Sequence, residues 1–244
     1  LAAALAAATG VSGCVRTLVE MAFLDRAARR RGQPVWALLG LPEPGEVRLM
    51  TTVPINEELP SSGLLKIKLG GPGDAAVLRR LAAVDGPIVL DVNRGWDEAR
   101  WTELAPLVAE LAPAVIEDPV GDPGLLPRVR AALPGTAVVL DEGIAGQADV
   151  ERAIEVAGGA NVKVMKLGGL FPARRALARL AEAGATRMLG CYLEPPRAIA
   201  YSALLAGLAD WTDLDGHFWL CDDPKVTRFR LGGGPGIPSL VYPA

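Results

Sequence analysis

Apolar residues recur along this chain in two rhythms. Through the first forty residues they fall at helical spacing, with Leu18, Met21, Ala22, Leu24 and Ala28 predicted on one stripe. Arg29, Arg30 and Arg31 close that stretch, where positive charge meets the negative end of a helix dipole, and Gly32 can turn the chain out of it. A second, short helical turn is predicted over 34–40. After Pro42-Glu43-Pro44-Gly45 the rhythm changes. Short apolar runs at 47–53, 64–69, 88–92, 114–117, 137–141, 161–166, 187–191 and 211–215 read as strands. Between most of them lie Ala-, Leu- and Arg-rich stretches of helical character, at 74–83, 98–111, 148–157, 172–183 and 197–209. Strand alternating with helix implies parallel strands joined by right-handed crossovers. An open sheet would satisfy the same pattern, but eight runs favour an α/β fold closed into a (β/α) TIM-type barrel. The interval from Val53 to Leu64 is too short for a full helix, so the first crossover is expected to be irregular. The chain thus divides into a lead-in over 1–44, a barrel over 45–221 and a tail over 222–244 that packs back on the rest.

Composition narrows the class. The 244 residues are half hydrophobic, and a barrel of this type takes roughly 200–250 residues. The net charge is −3 and the basic residues are scattered, which argues against a nucleic-acid partner. Cys14, Cys191 and Cys221 have no paired spacing, so free thiols and a reducing, cytoplasmic setting are expected. The Ala-rich opening is too short to span a bilayer and lacks a basic leader region, so no membrane association is expected. A single histidine, His217, weighs against His-rich zinc sites and a Ser-His-Asp triad.

The chemistry lies where the runs end, because barrels of this kind carry their sites at the C-terminal ends of the strands. Those ends are charged although the runs are apolar: Lys66-Ile-Lys68, Asp91-Val-Asn93, Glu117-Asp118-Pro119, Asp141-Glu142, Asn161-Val-Lys163 and Asp213-Leu-Asp215. Residues two apart on a strand share a face, so Lys66 pairs with Lys68 and Asp213 with Asp215. Asp91, Glu117 and Asp141 on neighbouring strands would repel one another unless a hard cation such as Mg²⁺ lay between them. The plain alternative, that each charge is a solvated loop residue, accounts poorly for three acids at successive strand ends.

This set of motifs, with Asn161-Val-Lys163-Val-Met-Lys-Leu-Gly-Gly, resembles the enolase superfamily, and within it the muconate-lactonizing-enzyme subgroup and its dipeptide epimerases. The stretch from Arg16 to Gly40 is similar to the last helix of that family's N-terminal capping domain, of which no more is recognisable here. The resemblance implies that Asp91, Glu117 and Asp141 hold Mg²⁺, and that Lys68 and Lys163 are acid–base groups on opposite faces of a small carboxylate substrate. It implies further that Lys66 tunes Lys68, and that Asp213 and Asp215 hold the ammonium group of a dipeptide. An epimerase or racemase is then expected. The rivals are an o-succinylbenzoate synthase-like or cycloisomerase-like enzyme on the same site, and a truncated, non-catalytic barrel. A homo-oligomer is compatible with all three. Lys166 is expected to be structural, Trp96 to be packing, and His217 to lie in a loop. Glu142 and Glu194 are open candidates for contact with a lysine or substrate, and Gly168-Gly169 for a phosphate-binding turn.

Overall fold

The structure, a computed structural model, describes residues 10–220 and 225–243, so Cys221 and the start of the 222–244 tail lie outside the described residues. Helix α1 (Gly13–Arg30) begins at Ser12, whose side chain accepts from Val15 N, and ends with Arg29 and Arg30 in its last turn. It buries Thr17, Glu20, Met21, Leu24 and Ala28. Leu18 and Ala22, predicted on the same stripe, face outward instead, because the inner face is rotated to admit Glu20. A one-turn helix α2 (Val35–Leu38) follows.

The predicted first run, 47–53, is two strands. Strand β1 (Val47–Arg48) leaves the barrel and pairs antiparallel with the tail, while β2 (Thr51–Val53) enters it. Parallel strands β3 (Leu65–Lys68), β4 (Ile88–Asp91), β5 (Val115–Glu117) and β6 (Ala137–Val139) continue from β2 as one block. Strands β7 (Gly159–Lys163), β8 (Thr186–Gly190) and β9 (Trp211–Asp213) form a second parallel block. Two narrow seams join the blocks. Leu140 bridges Ala160 between β6 and β7, and Met50 N donates to Thr212 O at 3.3 Å between the entry to β2 and β9. Among the described residues this makes eight parallel strands closed into a barrel.

Around it lie α3 (Asp74–Leu81), α4 (Glu98–Leu111), α5 (Leu126–Ala132), α6 (Gln147–Val156), α7 (Val164–Leu167), α8 (Leu170–Glu182) and α9 (Pro196–Ser202). Between β2 and β3 the chain runs without a helix, as the short interval requires. The sixth predicted run, 161–166, is shifted: the strand occupies 159–163 and Val164–Leu167 coil into α7. In the tail, β10 (Arg228–Leu231) pairs with β1 and with β11 (Leu240–Val241). The tail also meets the lead-in, where Ile237 N donates to Asp25 Oδ1 at 2.8 Å and Val35 N to Gly236 O at 3.0 Å. No helix among the described residues is long and apolar enough to cross a membrane.

Two apolar layers result. The larger lies between barrel and helices. The smaller, Met50, Val89, Val115, Val139 and Met188, fills the lumen.

Candidate active site

Lumen-facing positions recur every second residue along a strand. Val89, Val115 and Val139 belong to the inner apolar layer, and two residues later the same faces carry Asp91, Glu117 and Asp141. Leu64 is followed in the same way by Lys66 and Lys68, and Trp211 by Asp213. The apolar layer therefore floors the barrel, and the charges stand on it at the C-terminal mouth. Strand register sets Lys68 beside Asp91 and Asp91 beside Glu117.

Lys66 is 2% exposed. Its ammonium lies 2.8 Å from Asp91 Oδ2, 2.7 Å from Glu117 Oε2 and 2.6 Å from Asp213 Oδ2. Burial works against its charge, but Asp213, Glu117 and Asp91 outweigh it and hold the amine well above the ordinary lysine range. Lys68, less deeply set, reaches Asp91 Oδ2 at 2.6 Å. Across the lumen Asp141 takes Lys163 on Oδ2 at 2.6 Å and Lys166 on Oδ1 at 2.7 Å. Burial would lower the Lys163 amine, yet Asp141 raises it above the ordinary range and holds it as ammonium. For Asp91 and Asp141 burial is likewise outweighed by the paired lysines, and both carboxyls titrate below the usual range. Glu117 differs. It is fully buried, and burial together with Asp91, Asp141 and Asp213 pushes it up to about 8 against the pull of Lys66.

Among the described residues no three His, Cys, Asp or Glu side chains close on a single point. Asp91 and Glu117 share Lys66, while Asp141 is drawn to Lys163 and Lys166. The donor set nonetheless fits a hard cation. Three buried carboxylates stand at adjacent strand ends, and Glu117 Oε2 has an ammonium beside it but no directed hydrogen bond.

Asp213 ends β9, and Asp215 lies beyond it at the start of a 3₁₀ turn, so the two are not on one strand face as predicted. Asp213 is taken up by Lys66. Asp215 accepts from Thr52 N at 3.1 Å, and burial followed by the Asp213 charge raises its carboxyl. A cavity of about 120 Å³ adjoins Asp215, walled by Thr52, Phe218, Trp219 and Lys225.

The lesser candidates sort clearly. Lys166 joins the cluster because α7 coils the chain after Lys163, returning the residue three positions on to the same side. Trp96 is buried, and its Nε1 donates at 2.7 Å to Asp74, whose carboxylate also receives Gly70 N and Gly71 N and so fixes the loop beyond Lys68. Glu194 is buried and accepts from Tyr192 N at 2.9 Å. His217 is no loop residue on the surface: it is fully buried and packs against Phe218, Phe229 and Tyr242. The Gly168-Gly169 turn does precede a helix N-terminus, but the Glu20 carboxylate already fills that anion position. It accepts from Leu170 N and Phe171 N, and from Tyr201 OH at 2.8 Å.

Sequence reasoning missed three supports. Asn161 is fully buried and donates through Nδ2 to Glu117 Oε1 at 2.7 Å. Gly190 makes room for it, since a Cβ there would lie 2.5 Å from Asn161 Oδ1. Asp118, in the left-handed region at φ 41°, aims its carboxylate at Glu142 N, 2.7 Å away, and pins the loop after β6.

A sequence family described as Enolase C-terminal domain-like matches residues 62–224. The chain belongs to the enolase superfamily. It is 32% identical over 260 residues to the hydrophobic dipeptide epimerase of Roseobacter litoralis, covering 97% of this chain and 73% of that protein. The L-Ala-D/L-Glu epimerase of Escherichia coli is 29% identical, with 91% of this chain and 73% of the relative covered. Among solved structures, the dipeptide epimerase of Methylococcus capsulatus complexed with Mg ion is 30% identical with a TM-score of 0.78, covering 98% of this chain and 77% of that one. The TIM-barrel fold and the resemblance to dipeptide epimerases both stand, as does the expectation of an isomerase of the racemase/epimerase type.

Proposed function

We propose that this chain epimerises a dipeptide by passing the α-proton between Lys68 and Lys163, with Mg²⁺ held by Asp91, Glu117 and Asp141. One observation carries the reading. Lys68 ends β3 and Lys163 ends β7, four strands apart in a barrel of eight, so their amines rise from opposite walls of the lumen. A substrate α-carbon on the barrel axis presents one face to each.

Lys68 removes the proton from one stereoisomer while Lys163, kept as ammonium by Asp141, delivers a proton to the opposite face; the other stereoisomer reverses the roles. To act as base Lys163 must give up its pairing with Asp141. Lys66 is too deeply bound to reach substrate, and its charge balances Asp91, Glu117 and Asp213. Mg²⁺, when bound, supplies positive charge against the substrate carboxylate, where proton removal concentrates negative charge. Asp215, beside its cavity, is suited to an ammonium group, and this favours a dipeptide over the substrates of dehydration or cycloisomerisation, which need no cationic group. The names of the relatives from Roseobacter litoralis and Escherichia coli support the same substrate class.

The test is α-proton exchange in D₂O with Mg²⁺ and a panel of dipeptides, followed by mass spectrometry and chiral separation. Exchange with inversion and no loss of water is expected. Lys68→Ala and Lys163→Ala should each abolish epimerisation in both directions, yet each should still exchange the proton of the one stereoisomer facing the lysine that remains. Full racemisation by either single variant would eliminate the two-lysine reading.

A further inference from the structure

The loop after β8 lays an aromatic ring over the acid–base cluster. Tyr192 has its ring centroid 5.2 Å from Lys163 Nζ and 5.8 Å from Lys166 Nζ. Both amines are also paired with Asp141. Tyr192 is itself anchored, because its N–H donates to the buried Glu194 carboxylate two residues on. Tyr192 as a residue is 43% exposed, so it sits between the ammonium groups and solvent. Lys68 has no such cover among the described residues: its side chain is 33% exposed, against 10% for Lys163.

We infer that Tyr192 is a positioning residue for Lys163 and not for Lys68, closing the path of Lys163 to solvent so that the amine, when it leaves Asp141, can swing only toward the barrel axis. An aromatic face attracts an ammonium group and excludes water from it. The Asp141 carboxylate and the Tyr192 ring both contact the Lys163 amine, and its side chain is left 10% exposed. The asymmetry is the point: the two lysines that share one reaction are not equally guarded. This inference rests on the proposed roles of Lys68 and Lys163, but the placement of the ring can be tested apart from them.

Tyr192→Phe keeps the ring, and Tyr192→Leu removes it from a half-exposed loop position without emptying the core. The first measurement needs no turnover. Wild type and both variants are acetylated with a limiting amine-reactive reagent and digested, and the labelling of Lys163 and Lys68 is read by mass spectrometry. Lys163 should label about threefold to tenfold faster in Tyr192→Leu, in line with loss of one cation–π contact. It should be unchanged in Tyr192→Phe, and Lys68 should be unchanged in both. The second measurement is α-proton exchange of each dipeptide stereoisomer. In Tyr192→Leu the isomer that Lys163→Ala leaves unable to exchange should slow by a similar factor, while the other isomer keeps its wild-type rate. Equal slowing of both isomers, or unchanged labelling of Lys163, would overturn the inference. If wild type exchanges no dipeptide at all, the proposed function falls, and the labelling pattern still decides whether Tyr192 shields Lys163.

Discussion

Lys66→Met replaces the buried ammonium by an apolar side chain of similar length. Asp91, Glu117 and Asp213 are then left sharing a site from which water is excluded, each having lost a partner 2.6–2.8 Å away. Breaking a buried ion pair from one side costs about 3–5 kcal/mol. The structure locates the cost within that range. Burial and its acidic neighbours already raise the Glu117 carboxyl, so of the three it takes up a proton most readily once Lys66 is gone and relieves one of the charges. The loss should therefore be about 3 kcal/mol at pH 7 and grow above pH 8, where Glu117 ionises beside Lys66 in the wild type but must keep its proton in the variant. The sign is fixed by the folded-state shifts. The Lys66 amine is raised from 10.5, so its contribution is present below that value and disappears as pH rises through the folded-state value. The Asp91 carboxyl is lowered from 3.8, so its contribution is present above that value and disappears as pH falls through the folded-state one. The difference between variant and wild type should thus be largest at mildly alkaline pH and fade at the acid edge. Urea unfolding in EDTA, followed by the fluorescence of the buried Trp96 and Trp101, measures it. A midpoint lowered by about 1 M at pH 7 is expected for a slope near 3 kcal/mol/M. Equal midpoints from pH 5 to 9 would show that Lys66 does not hold the carboxylates together.

Two further outcomes follow from the supports. Asn161→Leu frees Glu117 Oε1 from its orienting donor, and Mn²⁺ affinity measured by calorimetry should fall about tenfold to a hundredfold; unchanged affinity would remove Glu117 from the metal set. Glu20→Gln should cost about 1–3 kcal/mol by weakening the acceptor at the start of α8. Burial raises the Glu20 carboxyl from 4.5, so wild-type stability should decline as pH climbs from there through the folded-state value, and that slope should be absent in Glu20→Gln.

Much of this was readable from residue order because strand and helix alternate with little ornament. The charged strand ends stand out against apolar runs, and steps of two carry them to the lumen. What escaped was contact across sequence distance. Nothing near Asn161 reveals that it faces Glu117, two barrel strands away, and nothing near Glu20 reveals that its carboxylate caps α8. The run at 161–166 is apolar enough for a longer strand, but the left-handed Gly168 and Gly169 let the chain coil early and carry Lys166 inward. The run at 47–53 concealed a change of partner, since β1 is claimed by a tail nearly two hundred residues later.

The two seams of the barrel, each joined by little main-chain bonding, have a consequence for how this molecule could be divided. The pairs that span them hold the carboxylates of the mouth: Asp141 with Lys163 and Glu117 with Asn161 across β6 and β7, and Asp213 with Lys66 and Asp215 with Thr52 N where β9 meets β2. Five strands alone would leave Asp141 without its two lysines, and three strands alone would leave Asp213 without Lys66 and Asp215 without Thr52 N. Neither block is therefore a self-sufficient half-barrel. A backbone cut between them is tolerable only while both pieces stay docked, and closing the staves is the same event as assembling the charges at the mouth.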